Sequence, residues 1–324
     1  MGARLAQLQF PYHRVLLART RLAYVHLQNL LSDAKRDRGA RVFGYVAVWL
    51  PDELVLLYLQ EGELIAATAT RDSVQYVPLA LRDALRRVPT AAEYGEICFH
   101  EAEDEQLACM YAAQVSPADA WPPEVRTHDA NAVLAHLLAS MFDGVVEVVV
   151  DGTVSYVTFR HGLPRQVFAR LPAHWITLSE QVRALWPTGA TVQVRRWSVP
   201  APVPVQPSPA LVDLYRSVMR GLTEQLSGVG VRDAAELVER SRAGLLSQHA
   251  WLERFGSATE VVRDPITTAD AMTKGITAWI SDVLWAAALP DAVTPEQVLR
   301  ELTRERRHAL QSAGFFEALP WKVQ

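Results

Sequence analysis

Two stretches of this chain, one hundred positions apart, share a frame: "GYVAVWLPDELVLLYLQEG" at residues 44–62 and "GVVEVVVDGTVSYVTFRHG" at residues 144–162. Gly44 and Gly62 lie 18 positions apart, and so do Gly144 and Gly162. Within each frame two runs rich in β-branched, aromatic and leucine residues are interrupted once, by Pro51-Asp52 in the first and Asp151-Gly152 in the second. Runs of this length and character, broken by residues that favour tight turns, predict β-hairpins. A membrane span is excluded for the first stretch. Asp52 and Glu53 sit at its middle, where each charge costs roughly 2.5–3.5 kcal/mol, and either apolar half is too short to cross as a helix.

The flanks of the two frames also agree. After the first hairpin come a strand "ELIAATA", a helical spacing of Leu79, Leu81, Leu85 and Val88, and an extended "GEICFHEA". Around the second are a helix "NAVLAHLLASMF", a strand "LPRQVFA", a helix "ITLSEQVRALW" and a closing strand "ATVQVRRW". Thr177 and Glu180 have the spacing of a capping box at the start of that helix. Agreement over successive elements predicts an internal duplication. The expected fold class is therefore α+β: two tandem small units, each an antiparallel sheet with helices on one face, followed by an all-α bundle. The first unit is placed at 1–115, with a long basic N-terminal helix, and the second at 125–198. The break "SPADAWPPE" at 116–124 separates them.

The run "YLQEGELIAA" from Tyr58 to Ala67 resembles the PATAN-type domains of bacterial signalling regulators. In that family a helix precedes a hairpin whose second strand ends at an aromatic residue and a turn glycine, followed by a strand leading into an alanine. The resemblance covers roughly residues 12–105 and, more faintly, 130–197. In the second copy Gln166 stands at the alanine position, and no receiver domain accompanies either copy. The resemblance implies a sheet-and-helix fold and a role in signalling through protein contacts. A roadblock or longin-like module is the competing structural assignment.

Prolines at 200, 202, 204, 207 and 209 mark a linker over 199–208, which in polyproline II form acts as a semi-rigid spacer. Residues 209–324 have helical periodicity throughout. Ser208-Pro209 opens a helix whose Leu211, Leu214, Tyr215, Val218 and Leu222 share one face. Two further helices follow, and Thr294 to Gln297 makes a capping-box start for "VLRELTRERRHALQSAG", with Gly314 as its stop. Four helices joined by short turns predict an antiparallel bundle.

Function can be read only to a class. Net charge is -4, yet residues 1–41 hold eight basic side chains against two acids, so that stretch carries about +6 and the remainder about -10. The basic side chains Arg14, Arg19, Arg21, Lys35, Arg36 and Arg38 are candidate contacts for an anionic partner, or a solvated face met by the acidic "EAEDE" at 101–105. The apolar tail with Phe315, Phe316 and Trp321 either closes the bundle or anchors a partner. No phosphate loop, nucleophile elbow or dinucleotide fingerprint occurs, and "HEAED" lacks the second histidine of a zinc helix. Cys98, His100 and Cys109 match no common zinc spacing, and two cysteines are too few for a disulfide framework. The acids 101–105 are expected to protect a sheet edge. The reading is a non-enzymatic, bacterial-type interaction or signalling scaffold, with no catalytic residue, metal or cofactor and with a protein partner or a second copy of itself. Alternatives are peripheral attachment to an anionic membrane through the basic helix, and a small ligand held in the cleft between the repeats. Nucleic acid is disfavoured by the confined positive charge. The expected location is cytoplasmic, with the inner membrane face as the variant.

Overall fold

A computed structural model describes residues 5–36, 42–72, 76–88, 94–170, 177–198, 201–255 and 263–321. The chain is α+β, with two antiparallel sheets and a C-terminal helical region, and it divides into two compact units. The first unit comprises Met1–Leu79 and Ala84–Val203, so both hairpin frames belong to one body; the second comprises Ala80–Asp83 and Pro204–Gln324.

In chain order the first unit runs β1 (Arg14–Arg21), α1 (Leu27–Arg36), β2 (Gly44–Trp49), β3 (Leu54–Gln60), β4 (Glu63–Thr70), β5 (Tyr76–Leu79), α2 (Leu81–Arg87, whose first residues to Asp83 group with the second unit), β6 (Glu96–Glu101) and α3 (Asp104–Val115). It continues with α4 (Ala130–Ala139), β7 (Gly144–Val150), β8 (Thr153–Arg160), β9 (Leu163–Phe168), α5 (Leu178–Ala184) and β10 (Val192–Ser198). The six-stranded sheet has the order β1-β6-β2-β3-β4-β5, and the four-stranded sheet β10-β7-β8-β9. Strands β6-β2-β3-β4 therefore follow the same order as β10-β7-β8-β9.

The shared frame extends to the backbone. Glu61 and Gly62 have φ of 51° and 79°, and His161 and Gly162 have 51° and 75°, the left-handed pair of a type I′ turn. The Gly62 amide donates to the Val42 carbonyl at 2.8 Å, and the Gly162 amide to the Phe142 carbonyl at 2.9 Å. A Cβ on Gly62 would overlap the backbone of α1 at Ala34, and one on Gly162 would overlap α4 at Leu137 and Leu138. Glycine is thus required twice over, for positive φ and for the approach of the preceding helix. The ladders also shift register at corresponding places, between Tyr58 and Leu59 and between Thr158 and Phe159.

Both faces of β2 and β3 are buried. Tyr45, Ala47, Trp49, Leu56 and Tyr58 share a core with Val145, Val154, Tyr156 and Trp197 of the smaller sheet. Helix α3 supplies Leu107, Cys109, Met110 and Tyr111 to the same core and is apolar around most of its circumference, as a helix enclosed by structure must be. The other face of the smaller sheet packs Val146, Val148 and Val157 against Val133 and Leu137 of α4 and Val182 of α5. The capping box at Thr177 and Glu180 is formed. The segment at 116–124 lies along β10: the Asp119 amide donates to the Arg196 carbonyl at 2.8 Å, and Trp121 Nε1 to the Val194 carbonyl at 3.1 Å.

Several expectations are corrected. Residues 14–21 are not part of a basic helix but form strand β1, because "RVLLARTR" places Arg14 opposite Glu101 and Arg21 opposite Glu96 across the β6 ladder. Strand β6 lies between β1 and β2, so Glu101 does not guard an edge; Asp104 and Glu105 instead open α3, where acids suit the helix dipole. Strands β1 and β5 were not anticipated. The division between the two units falls within the proline segment, after Val203, and Val203, Gln206 and Pro207 in it are buried.

The second unit contains α6 (Pro209–Gly228), α7 (Ala234–Leu245), α8 (Ala269–Ala286), α9 (Pro295–Thr303), α10 (Arg307–Ser312) and α11 (Phe315–Ala318). Ser208 caps α6, and Thr294 with Gln297 forms the box on α9. The helix expected over 298–314 is broken at Arg304–Arg306 by a 3₁₀ turn, which allows Leu299 and Leu310 to enter one core. Within this unit the carboxylate of Asp264, 3% exposed, accepts from Arg82 at 2.9 Å and Arg216 at 2.8 Å.

Candidate functional site

The core between the two sheets is not filled solidly. The N-terminal segment Leu5–Tyr12 runs through the cleft, burying Leu5, Leu8 and Phe10 and pairing Gln9 with Thr153 at the start of β8. Cavities open on either side of it, and Leu8 and Phe10 contribute to the walls of both.

The larger, about 310 Å³, lies on the inner face of the six-stranded sheet. Its walls include Tyr12, Tyr45, Trp49 and His100, with Arg19 and Arg170 as the charged side chains. Alternation along β2 turns Tyr45 and Trp49 to one face, and alternation along β6 turns Cys98 and His100 to that same face. The Arg19 guanidinium lies 4.0 Å from the centre of the Trp49 ring, and its Nε donates to Glu96 at 2.7 Å. The Arg170 guanidinium lies 5.1 Å from the centre of Tyr12, whose ring is in turn 4.4 Å from that of His100.

The Tyr45 hydroxyl lies 3.0 Å from the Pro11 carbonyl and 3.3 Å from that of Phe10, and it can donate to either. It also lies 2.9 Å from His100 Nδ1, which donates to it or accepts from it according to the tautomer. Burial, reinforced by Arg170, lowers the His100 pKa to about 4, so the ring is neutral at physiological pH. Cys98 Sγ lies 3.8 Å from the same nitrogen. Burial pushes its thiol up to about 12. Both shifts favour the uncharged forms, so the contact holds a thiol and a neutral ring rather than a thiolate–imidazolium pair. Among the described residues no group of three or more His, Cys, Asp or Glu side chains could hold a metal ion.

The second cavity, about 240 Å³, is polar. Glu147 on β7, 3% exposed, accepts from Arg195 Nε on β10 at 2.7 Å and from the Tyr156 hydroxyl. Burial still holds the Glu147 carboxyl above its ordinary range, with Arg195 and Tyr156 opposing the shift. On the facing side, Gln114 Oε1 accepts from the Tyr58 hydroxyl at 2.6 Å and from Thr68 at 2.5 Å. Such short distances suit O–H···O rather than N–H···O bonds. Gln114 Nε2 is thereby left buried and unpartnered at the cavity wall.

Of the side chains proposed in the sequence as partner contacts, Arg19 alone among the described residues lines this cleft. Arg14 pairs with Glu101 at 2.7 Å on the exposed sheet edge, Arg21 is exposed, and Lys35 pairs with Glu63. Arg36 closes α1, its side chain lying outside the described residues, as does Arg38. Phe315 is fully buried beside Tyr215, ring centres 6.3 Å apart, so it is a core residue of the second unit rather than an anchor for a partner. Phe316 and Trp321 are partly buried against the same core. Tyr12, Tyr45 and Arg170 carried no sequence signal; His100 and Cys98 were weighed only as metal ligands, a reading that their spacing did not support.

No family model, curated protein or solved structure matches this chain. No helix among the described residues is long and apolar enough to cross a membrane.

Proposed function

We propose that this chain is a non-enzymatic regulatory protein whose first unit binds a small organic molecule in the cleft between its sheets. The supporting observation is the aromatic cavity: at about 310 Å³ it falls within the usual range for small-molecule sites, and it combines ring walls with a few convergent polar groups. The protonated Cys98 and the weakly basic His100 suit binding better than turnover. A thermal-shift screen against metabolites tests the reading: hits should raise the melting temperature of the wild type and lose that effect in Tyr12→Ala. A flat response across the screen overturns it.

A scaffold role is the second reading, favoured by Trp285 of α8. Its ring is 74% exposed and stands 5.9 Å from that of Trp321, a pairing suited to a protein contact. An unchanged set of co-purifying proteins from Trp285→Ala would remove that role. Kinship with PATAN-type domains, duplication of a single ancestral unit and a cytoplasmic bacterial setting belong to the same proposal, supported by the matched strand order and turn glycines. Membrane attachment through a basic helix loses its support, because Arg14 and Arg19 lie on a strand and face Glu101 and Glu96. Flotation with anionic liposomes is expected to leave the protein at the bottom of the gradient.

A further inference from the structure

The charges around the aromatic cavity are not balanced. No aspartate or glutamate is among its wall residues, while two guanidiniums are. Arg19 is matched by Glu96 and donates a further bond to the Ala6 carbonyl at 2.8 Å. Arg170 makes no ion pair among the described residues; it donates to the amide oxygen of Gln9 and stacks on Tyr12. Its exposed position sets it at the rim, with the ring stack of Tyr12 and His100 beneath it. Below the rim the cavity is apolar and aromatic: Tyr45 and Trp49 are 1% and 8% exposed.

We infer that the aromatic cavity takes a small aromatic monocarboxylate, its ring among Tyr12, Tyr45 and Trp49 and its carboxylate at the Arg170 guanidinium. Four features select that class. The neutral His100 ring adds no second positive charge, so one negative charge suffices. A guanidinium offers a carboxylate two parallel N–H donors and a fixed plane. Flat walls favour a flat body, since rings associate through offset or edge-on contacts. A cationic occupant would meet Arg19 and Arg170 with no acid on the wall to offset them. A neutral aromatic would fill the same space but leave the charge of Arg170 unanswered.

This inference rests on the ligand-binding reading proposed above, and the experiment separates the two. Isothermal titration of the full chain is carried out with phenylacetate, 4-hydroxybenzoate and indole-3-acetate, each beside its uncharged carboxamide. At least one acid is expected to bind about tenfold or more tightly than its amide, and Arg170→Gln should bring the acid and amide affinities together. Gln193→Ala, in the polar cavity, should leave the preference intact. Equal binding of acids and amides overturns the charge selection while the ligand-binding reading stands. Absence of binding by every acid overturns the inference, and a flat metabolite screen in addition overturns the reading beneath it. A preference that survives in Arg170→Gln places the carboxylate elsewhere and also defeats it.

Discussion

Glu147 and Arg195 face each other across adjacent strands, and the carboxylate is almost completely removed from water. Removing one partner of such a pair strands the other, which typically costs about 3–5 kcal/mol. Arg195→Met is therefore expected to lower unfolding free energy by about that much at neutral pH, measured by urea denaturation. The sign of its pH dependence follows from the carboxyl. Without the guanidinium its pKa rises further above the unfolded value, so the folded state holds the proton more tightly, and the deficit should shrink on acidification and grow as pH rises. A deficit constant with pH would contradict this. His100 behaves oppositely. Its pKa is depressed from 6.5 to about 4, so its contribution is complete above 6.5 and is lost as pH falls through the interval toward 4. The wild type should lose thermal stability over that interval, and His100→Gln should lose less. Identical slopes would show that the ring does not titrate as described.

At the scale of elements, the turn glycines carry the closest backbone contacts. Gly62→Ala and Gly162→Ala each combine positive φ with a Cβ driven into helix backbone, and each should cost about 1–3 kcal/mol in equilibrium unfolding. Gly189, also at positive φ but with no neighbour within 4 Å, should cost less when changed to alanine. Equal losses at all three positions would mean that the helix contact adds nothing. The hairpins and their glycines were legible because strand pairing across a short turn is local, and so were the caps at Thr177, Ser208 and Thr294. Strand β1 was not, because its partner β6 begins some seventy-five residues later and its arginines read equally well as a polar helix face. The break at Arg304 was invisible for a related reason: it follows from how Leu299 and Leu310 fit one core rather than from any local breaker. The cavity was least legible of all. Tyr12, Tyr45, His100 and Arg170 come from separate segments and converge only when the N-terminal segment enters the cleft.

Over the whole molecule, the buried apolar residues of the helical unit form a cluster distinct from those of the sheet-containing unit. Two cores in one chain predict two calorimetric transitions rather than one. Phe315→Ala, which empties a fully buried site, should cost about 3–5 kcal/mol and move one transition, while Gly162→Ala should move the other. Movement of both by either substitution would show that the units unfold together. The N-terminal segment has a consequence for the order in which the molecule is made. Gln9 pairs beside Thr153, so its pairing site does not exist until about 145 further residues have been synthesised. At roughly 5–20 residues per second that is a wait of about 7–30 s, during which Leu5, Leu8 and Phe10 have no cleft to enter. On the ribosome this protein must carry its own central partition unhoused until the second sheet arrives to receive it.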